Sequence, residues 1–441
     1  MGHATTTTEN ATTAVTYQRL QQRLDRMPTG APDTAALRRI LRVLFSPEEA
    51  ELAAQLPTIV AVGRLAERLD RDRAELDELL TGMARRGLVF DLEHRGERWV
   101  SLAPVVIGFF EFTFMRVDED AAMPELTELF DEYLFHDPEH RFVEAVFRGS
   151  VQVGRSLVRE EALPDAPATE VLAWERATSI VADARYVAVG NCPCRVHAGR
   201  QGHACDAPVR TCLSFDGAGQ ALVRAGLAEP VSNEEGLQIL AASKAAGLAQ
   251  TADNVQQQVS YLCNCCGCCC GMMQAIRTAG LTGAIVPSNW VASIDPERCR
   301  GCRDGCVSAC PAEAIARVDS EGQGRRRYWA VLDAERCLGC GVCAEACRFD
   351  ALELLPRERR SFTPRNTVDR MIAMAVERGK LGDLMLDTLD GAGANAVARM
   401  LQHLERSAPG TALRAIEPLR SVFLRGLLAV VNVGGSRIPA P

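Results

Sequence analysis

The 441-residue chain reads as a multidomain α+β protein, and three observations carry that expectation. Helical-period sequence closed by an alternating hairpin fills the first quarter, eighteen cysteines gather in three places, and a cysteine-free stretch of helical periodicity follows Pro356. With 47% hydrophobic residues there is apolar material for two or three ordinary cores, so the cysteines are not needed as covalent staples. The segments are a disordered lead-in (1–33), a helix-plus-hairpin domain (34–104), a helix-rich and cysteine-rich metal-binding domain (105–291), a compact cysteine-rich module (292–356) and a helical C-terminal region (357–441).

Residues 1–33 are Thr-rich and polar and close on Pro28, Gly30 and Pro32, which predicts a mostly disordered start. The first twenty residues lack the basic and apolar regions of a secretory signal, so the expectation is a cytoplasmic chain with reduced thiols. In that setting clustered cysteines are soft metal ligands rather than bridges. A net charge of −8 argues against a general nucleic-acid binder. The apolar stretches 105–115 and 422–435 are too short to span a membrane, and Arg425 interrupts the second.

From Thr34 onward, "TAALRRILRVLFSPEEAELAAQLP", "VGRLAERL" and "RAELDELLTGMARRG" predict three helices, the last ended by Gly87. "LVFDLEHRGERWVSL" alternates on both sides of Arg95-Gly96 and predicts a hairpin. Three helices and a hairpin resemble a winged helix-turn-helix domain. The helix that would enter a DNA groove starts among Asp70, Asp72, Glu75, Asp77 and Glu78, with Arg71 and Arg73 alone opposing them, so packing or partner docking is favoured over DNA. His94, His136 and His140 have no cysteine near them in the chain and read as surface or core residues.

The clearest chemistry begins at Cys299. "CRGCRDGCVSACP" supplies Cys299, Cys302, Cys306 and Cys310, and "CLGCGVCAEAC" supplies Cys337, Cys340, Cys343 and Cys347. The second run has the C-x2-C-x2-C-x3-C spacing in which three thiolates grip one [4Fe-4S] cube and the fourth reaches its neighbour. A zinc site needs only one quartet. Residues 292–356 therefore resemble a bacterial two-cluster ferredoxin domain. The resemblance implies a βαββαβ fold and crossed ligation, one cluster on Cys299, Cys302, Cys306 and Cys347 and the other on Cys337, Cys340, Cys343 and Cys310. Two departures stand out: an extra residue between Cys302 and Cys306, and Arg348 where the family has proline. Arg325, Arg326 and Arg327 between the runs read as a solvated hairpin tip, with a docking patch as the alternative.

Upstream, Cys192, Cys194, Cys205 and Cys212 form a set of four with His197 and His203 between them. A third Fe–S cluster and a Cys/His zinc site both remain open there. About fifty residues on, "CNCCGCCC" packs Cys263, Cys265, Cys266, Cys268, Cys269 and Cys270 into eight positions, with Gly267 and Gly271 to turn the backbone. Three outcomes are consistent with this run: a cluster on three or four of the six, a cluster shared with the 192–212 set, or an unusual cluster with more than four thiolates. With "NCPCR", "TCLSF" and the ferredoxin-like module, the chain resembles a group of bacterial multi-cluster 4Fe-4S proteins. That resemblance implies two clusters in the module and one or two more upstream, but no substrate.

The glycines at 391–395 and 432–436 lack the strand, loop and helix context of a nucleotide cradle. The expected function is an electron-transfer protein or redox-enzyme subunit, serving a redox partner protein or oxidoreductase subunit. The alternatives are a reductase whose substrate meets an unusual upstream cluster, and a redox-sensing transcriptional regulator.

Overall fold

The computed structural model describes residues 11–116, 121–137, 141–147, 149–163, 172–319, 328–388 and 392–407. His140, the Arg325 to Arg327 run and the apolar stretch 422–435 lie outside them.

Part of the expected disordered lead-in is a helix, α1 (Ala11–Asp25). Its Tyr17, Leu20, Gln21 and Leu24 fall at helical spacing and are buried, and the Tyr17 hydroxyl donates to the Phe45 carbonyl at 2.7 Å. Threonine-rich composition around this stripe hid it. The first expected helix divides into α2 (Ala35–Leu44) and α3 (Pro47–Gln55). The amide of Glu49 donates to the Ser46 hydroxyl, the Ser46 amide donates back to the Glu49 carboxylate, and Pro47 takes the first helical position, so a new helix starts there.

Next come β1 (Val60–Ala61), α4 (Val62–Leu69), α5 (Arg73–Arg85), β2 (Val89–His94) and β3 (Glu97–Leu102), with an antiparallel sheet in the order β1-β3-β2. Gly87, at φ +74°, ends α5, and Arg95 and Gly96, both at positive φ, make the hairpin turn. Then follow α6 (Phe110–Met115), α7 (Met123–Phe135) and α8 (Arg141–Phe147).

The region expected to be helix-rich has a sheet at its centre. Its elements are β4 (Gly154–Ser156), α9 (Ala177–Asp183), β5 (Val187–Asn191), α10 (Pro193–Arg200), β6 (Arg210–Phe215), α11 (Asp216–Arg224), β7 (Glu229–Val231), α12 (Asn233–Ala245), β8 (Ala249–Asp253), β9 (Tyr261–Cys265) and α13 (Gly271–Arg277). Six strands pair antiparallel in the order β4-β8-β9-β6-β5-β7. Strand β8 is buried at every position, so the alternation that marks a half-buried strand is missing from its sequence. Leu157, Val187, Leu213, Phe215, Leu240 and Leu262 form the core beneath.

The following module runs strand, helix, strand, strand, helix, strand: β10 (Trp290–Ile294), α14 (Cys306–Ala309), β11 (Ile315–Asp319), β12 (Tyr328–Leu332), α15 (Val342–Glu345) and β13 (Leu352–Pro356). β10 pairs with β13 and β11 with β12, both antiparallel, so the two halves mirror each other. Helices α16 (Thr367–Arg378), α17 (Leu381–Thr388) and α18 (Ala392–Arg406) follow.

Two compact units result. One comprises 1–110, 118–146 and 379–411; the other comprises 111–117, 147–378 and 412–441 and holds all eighteen cysteines. Helix α7 thus belongs to the first unit rather than to the cysteine-rich domain, and α17 and α18 are not a separate tail. The buried Arg23 guanidinium meets Asp387 at 3.1 Å, which ties α1 to α17, and the Tyr133 hydroxyl of α7 donates to the Pro32 carbonyl at 3.2 Å. Long-range pairings of this kind leave no periodic trace in the sequence.

Candidate metal centres

In the strand-helix-strand-strand-helix-strand module, two glycines let the backbone wrap the thiols. Gly301 and Gly339, the third residue of each cysteine run, have φ of +56° and +64°. A Cβ on Gly339 would sit 2.1 Å from the Trp290 carbonyl oxygen, and one on Gly301 would sit 2.2 Å from the Tyr328 carbonyl, so only glycine fits. The extra residue before Cys306 is absorbed at Gly305, whose φ of +129° is closed to L side chains.

One cavity is lined by Cys310, Cys337, Cys340 and Cys343. The thiols that act electrostatically on Cys306 are Cys302, Cys347 and Cys299 among its nearest charged neighbours. The fourth cysteine of each run therefore stands with the first three of the other. Backbone amides aim at sulfur in matching positions: Ala314 N–H donates to Cys310 Sγ at 3.2 Å and Ala351 N–H to Cys347 Sγ at 3.4 Å, with Ala330 N–H on Cys299 Sγ at 3.3 Å. Burial pushes the Cys340 thiol up to about 12 and the Cys306 thiol up to about 11. Thiolates in such a place need bound positive charge, and the donor set and amide donors fit [4Fe-4S] clusters. Arg348 is exposed.

The upstream cysteines sort differently from their order in the chain. Cys192 and Cys270 occupy the N-cap positions of α10 and α13, while Cys212 lies on β6 and Cys263 and Cys265 on the adjacent β9. Electrostatic coupling between neighbouring thiols runs from Cys192 to Cys194, Cys194 to Cys270, Cys270 to Cys265, Cys265 to Cys263 and Cys263 to Cys212. Cys270 is held well below the usual thiol range by the neighbouring thiols Cys194 and Cys265 and by the amides of Met273 and Met272 at the start of α13. Thr251 Oγ1 lies 3.2 Å from Cys265 Sγ.

The remaining four, Cys205, Cys266, Cys268 and Cys269, make a second group whose sulfurs all lie within 4.8 Å of one another. Cys205 is thus separated from the other three of its sequence set and joined to the dense run. Neither His197 nor His203 belongs to the group. His197 is buried with its ring edge-on to Phe114, and His203 is exposed.

Arg195, in the first turn of α10, is 1% exposed. Its guanidinium donates to the Pro208 carbonyl at 2.9 Å, the Thr211 hydroxyl at 3.0 Å and the Asn264 carbonyl at 2.6 Å. Burial alone would lower its basicity, but the neighbouring thiols of Cys192, Cys266, Cys265 and Cys205 more than offset this. One fixed positive charge therefore serves both thiol groups. Sequence reasoning missed Arg195, although its place inside "CPCR" was the available signal. It also missed Arg159, 1% exposed, which donates to the carbonyls of Lys244 and Leu248 and pairs with Glu345, and whose backbone amide donates to the Cys340 carbonyl at 3.1 Å.

Residues 298–351 match the 4Fe-4S dicluster domain family. The formate dehydrogenase-O iron-sulfur subunit of Escherichia coli is 34% identical over 82 residues, 18% of this chain and 25% of that protein. An uncharacterized ferredoxin of Methanocaldococcus jannaschii is 33% identical over 99 residues, 22% of this chain and 60% of that protein. NADH-quinone oxidoreductase subunit I 2 of Geobacter metallireducens is 39% identical over 51 residues, 11% of this chain and 39% of that protein. The chain thus spans about a quarter of the first of these relatives. No solved structure matches it significantly. No helix among the described residues is long and apolar enough to cross a membrane. The chain is an iron-sulfur protein with a 4Fe-4S dicluster domain in its C-terminal half.

Proposed function

We propose that the chain is an electron-transfer protein, or the electron-transfer subunit of an oxidoreductase, that relays single electrons through several [4Fe-4S] clusters between a soluble donor and a redox partner protein in the cytoplasm. The observation that carries the reading is the exchange of fourth cysteines in the dicluster module, Cys310 with Cys337, Cys340 and Cys343, and Cys347 with Cys306. When bound, the clusters supply one-electron chemistry at a potential set by their surroundings. The chain's own residues do the setting. Amides of Ala314, Ala351 and Ala330 donate to ligand sulfurs and favour the reduced, more negative state, and burial keeps water from the Cys340 side.

The linked thiols Cys192, Cys194, Cys270, Cys265, Cys263 and Cys212 are read as the ligand set of a further cluster in the same unit. Six thiols exceed the four a cubane takes, and that excess favours one second reading, a reductase in which a substrate meets this cluster. The first unit's helices and three-stranded sheet are read as a winged-helix-like domain used for docking. Three of its acidic residues are engaged internally: Asp72 caps α5, and Asp77 and Asp91 both receive Arg98.

The test is anaerobic purification followed by iron and acid-labile sulfide per chain, EPR of the reduced protein, and stopped-flow reoxidation by a one-electron acceptor. Matching iron and sulfide of about eight or more, with reversible reduction, is the expected result. Clusters that dithionite cannot reduce would sink the electron-transfer reading. A signal shifted by an added reducible substrate would favour the reductase.

A further inference from the structure

The four sulfurs of Cys205, Cys266, Cys268 and Cys269 are too close together for a cubane. Cys205 Sγ lies 3.7 Å from Cys266 Sγ and 3.8 Å from Cys269 Sγ, Cys268 Sγ lies 3.7 Å from Cys269 Sγ, and no pair in the group exceeds 4.8 Å. A tetrahedral ion with metal–sulfur bonds of about 2.3 Å holds its four sulfurs about 3.8 Å apart. A [4Fe-4S] cube carries its thiolates outside four separate irons, which spreads them to about 6 Å. The same structure supplies the contrast, because among the described residues no three cysteines of the dicluster module approach one another within 4.8 Å. Disulfides are not the explanation, since a bonded pair would stand at about 2 Å and all four thiols are free.

We propose that Cys205, Cys266, Cys268 and Cys269 bind one zinc ion in a tetrahedral tetrathiolate site. The proposal goes beyond the electron-transfer reading and removes these four cysteines from the iron count. Cys266-Gly267-Cys268-Cys269 contains a C-x2-C turn, the common half of a structural zinc site, and Cys205 supplies its closing ligand from the loop between α10 and β6. Zinc is preferred to ferrous iron because a sulfur site of given shape binds it more tightly. Binding converts four thiols to thiolates, releases four protons to solvent and leaves two net negative charges, which Arg195 at Cys205 offsets in part. The site also has a structural task. Gly267 lies against Pro311, and Arg277 donates to the Gly267 carbonyl while pairing with Glu313, so the ion locks the turn that meets the dicluster module.

The test uses the full chain, purified anaerobically, with zinc, iron and sulfide measured per chain and X-ray absorption at the zinc edge. About one zinc per chain with four sulfur neighbours at about 2.3 Å and no iron neighbour is expected. Cys268→Ser, at the exposed ligand, is expected to lose the zinc and keep the iron and sulfide of the parent, whereas Cys263→Ser, in the other thiol group, keeps the zinc. Absence of zinc from the parent protein overturns the proposal, as does loss of about four irons with sulfide from Cys268→Ser. A single iron without sulfide in place of zinc overturns it too. Electron transfer by the dicluster module is measured separately and stands or falls on its own iron signal.

Discussion

A Cβ atom on Gly267 would lie 2.8 Å from the carbonyl oxygen of Pro311, closer than any packed side chain tolerates. Gly267 is the turn residue of the dense cysteine run and Pro311 follows the last cysteine of the first module run, so two thiolate regions meet backbone to backbone. Gly267→Ala must push them apart. The expected cost is about 1–3 kcal/mol, read as a lower melting temperature of the anaerobic protein, together with slower electron exchange between the module and any cluster held upstream. Unchanged melting and kinetics would show that the contact is not used.

Cys340→Ser tests the ligand assignment in the module. Cys340 shares its cavity with Cys310, Cys337 and Cys343, so the variant should lose about four irons and their sulfide while the signal from the Cys299, Cys302, Cys306 and Cys347 side persists. Cys310→Ser, although it lies in the other run, should damage the same cluster as Cys340→Ser. If each variant instead affects a different EPR signal, the crossed arrangement is wrong.

Gly339→Ala separates backbone need from ligand chemistry, since it removes no thiol. Its φ of +64° and the 2.1 Å approach to the Trp290 carbonyl predict a loss of at least about 2 kcal/mol by anaerobic denaturant titration, with faster cluster loss on dilution into air. Gly301→Ala should do the same on the other half, because the Tyr328 carbonyl stands where the Trp290 carbonyl does.

Arg195→Met removes the buried positive charge beside Cys192, Cys265 and Cys266. The reduced state of any cluster held there then carries uncompensated charge, so its midpoint potential should fall, on the order of tens of millivolts, while the module potentials stay put. A redox titration followed by EPR distinguishes the two. Lysine at this position is not expected to restore the parent value, because a point charge cannot reach the Pro208, Thr211 and Asn264 acceptors together.

The parts of this architecture legible in the sequence are those with local rules. Cys-x2-Cys spacing marked the module, Gly87 marked a helix end, and Arg95-Gly96 marked the hairpin, because each feature is decided by residues a few positions apart. The grouping of the upstream thiols was not legible. It depends on β9 lying beside β6 and on the starts of α10 and α13 both carrying thiols of the same group, which brings together residues about fifty to eighty apart in the chain. The sheet itself was hidden because strands such as β8 are buried on both faces.

The helices and hairpin of residues 34–104 lead to the last prediction. For α5 to enter a DNA groove, its N-terminal half would have to carry Asp72, Glu75 and Asp77 toward phosphate, and the structure already engages Asp72 and Asp77. Asp72 accepts from the Ala74 and Glu75 amides, and Arg98 is committed to both Asp77 and Asp91, so its charge is not free to meet phosphate. The full chain is therefore expected to show no retention of duplex DNA at low salt in either redox state, although a basic winged helix would bind under those conditions and lose affinity steeply as salt rises. Salt-sensitive binding in the oxidised protein alone would restore the redox-sensor reading and displace docking as the role of this domain.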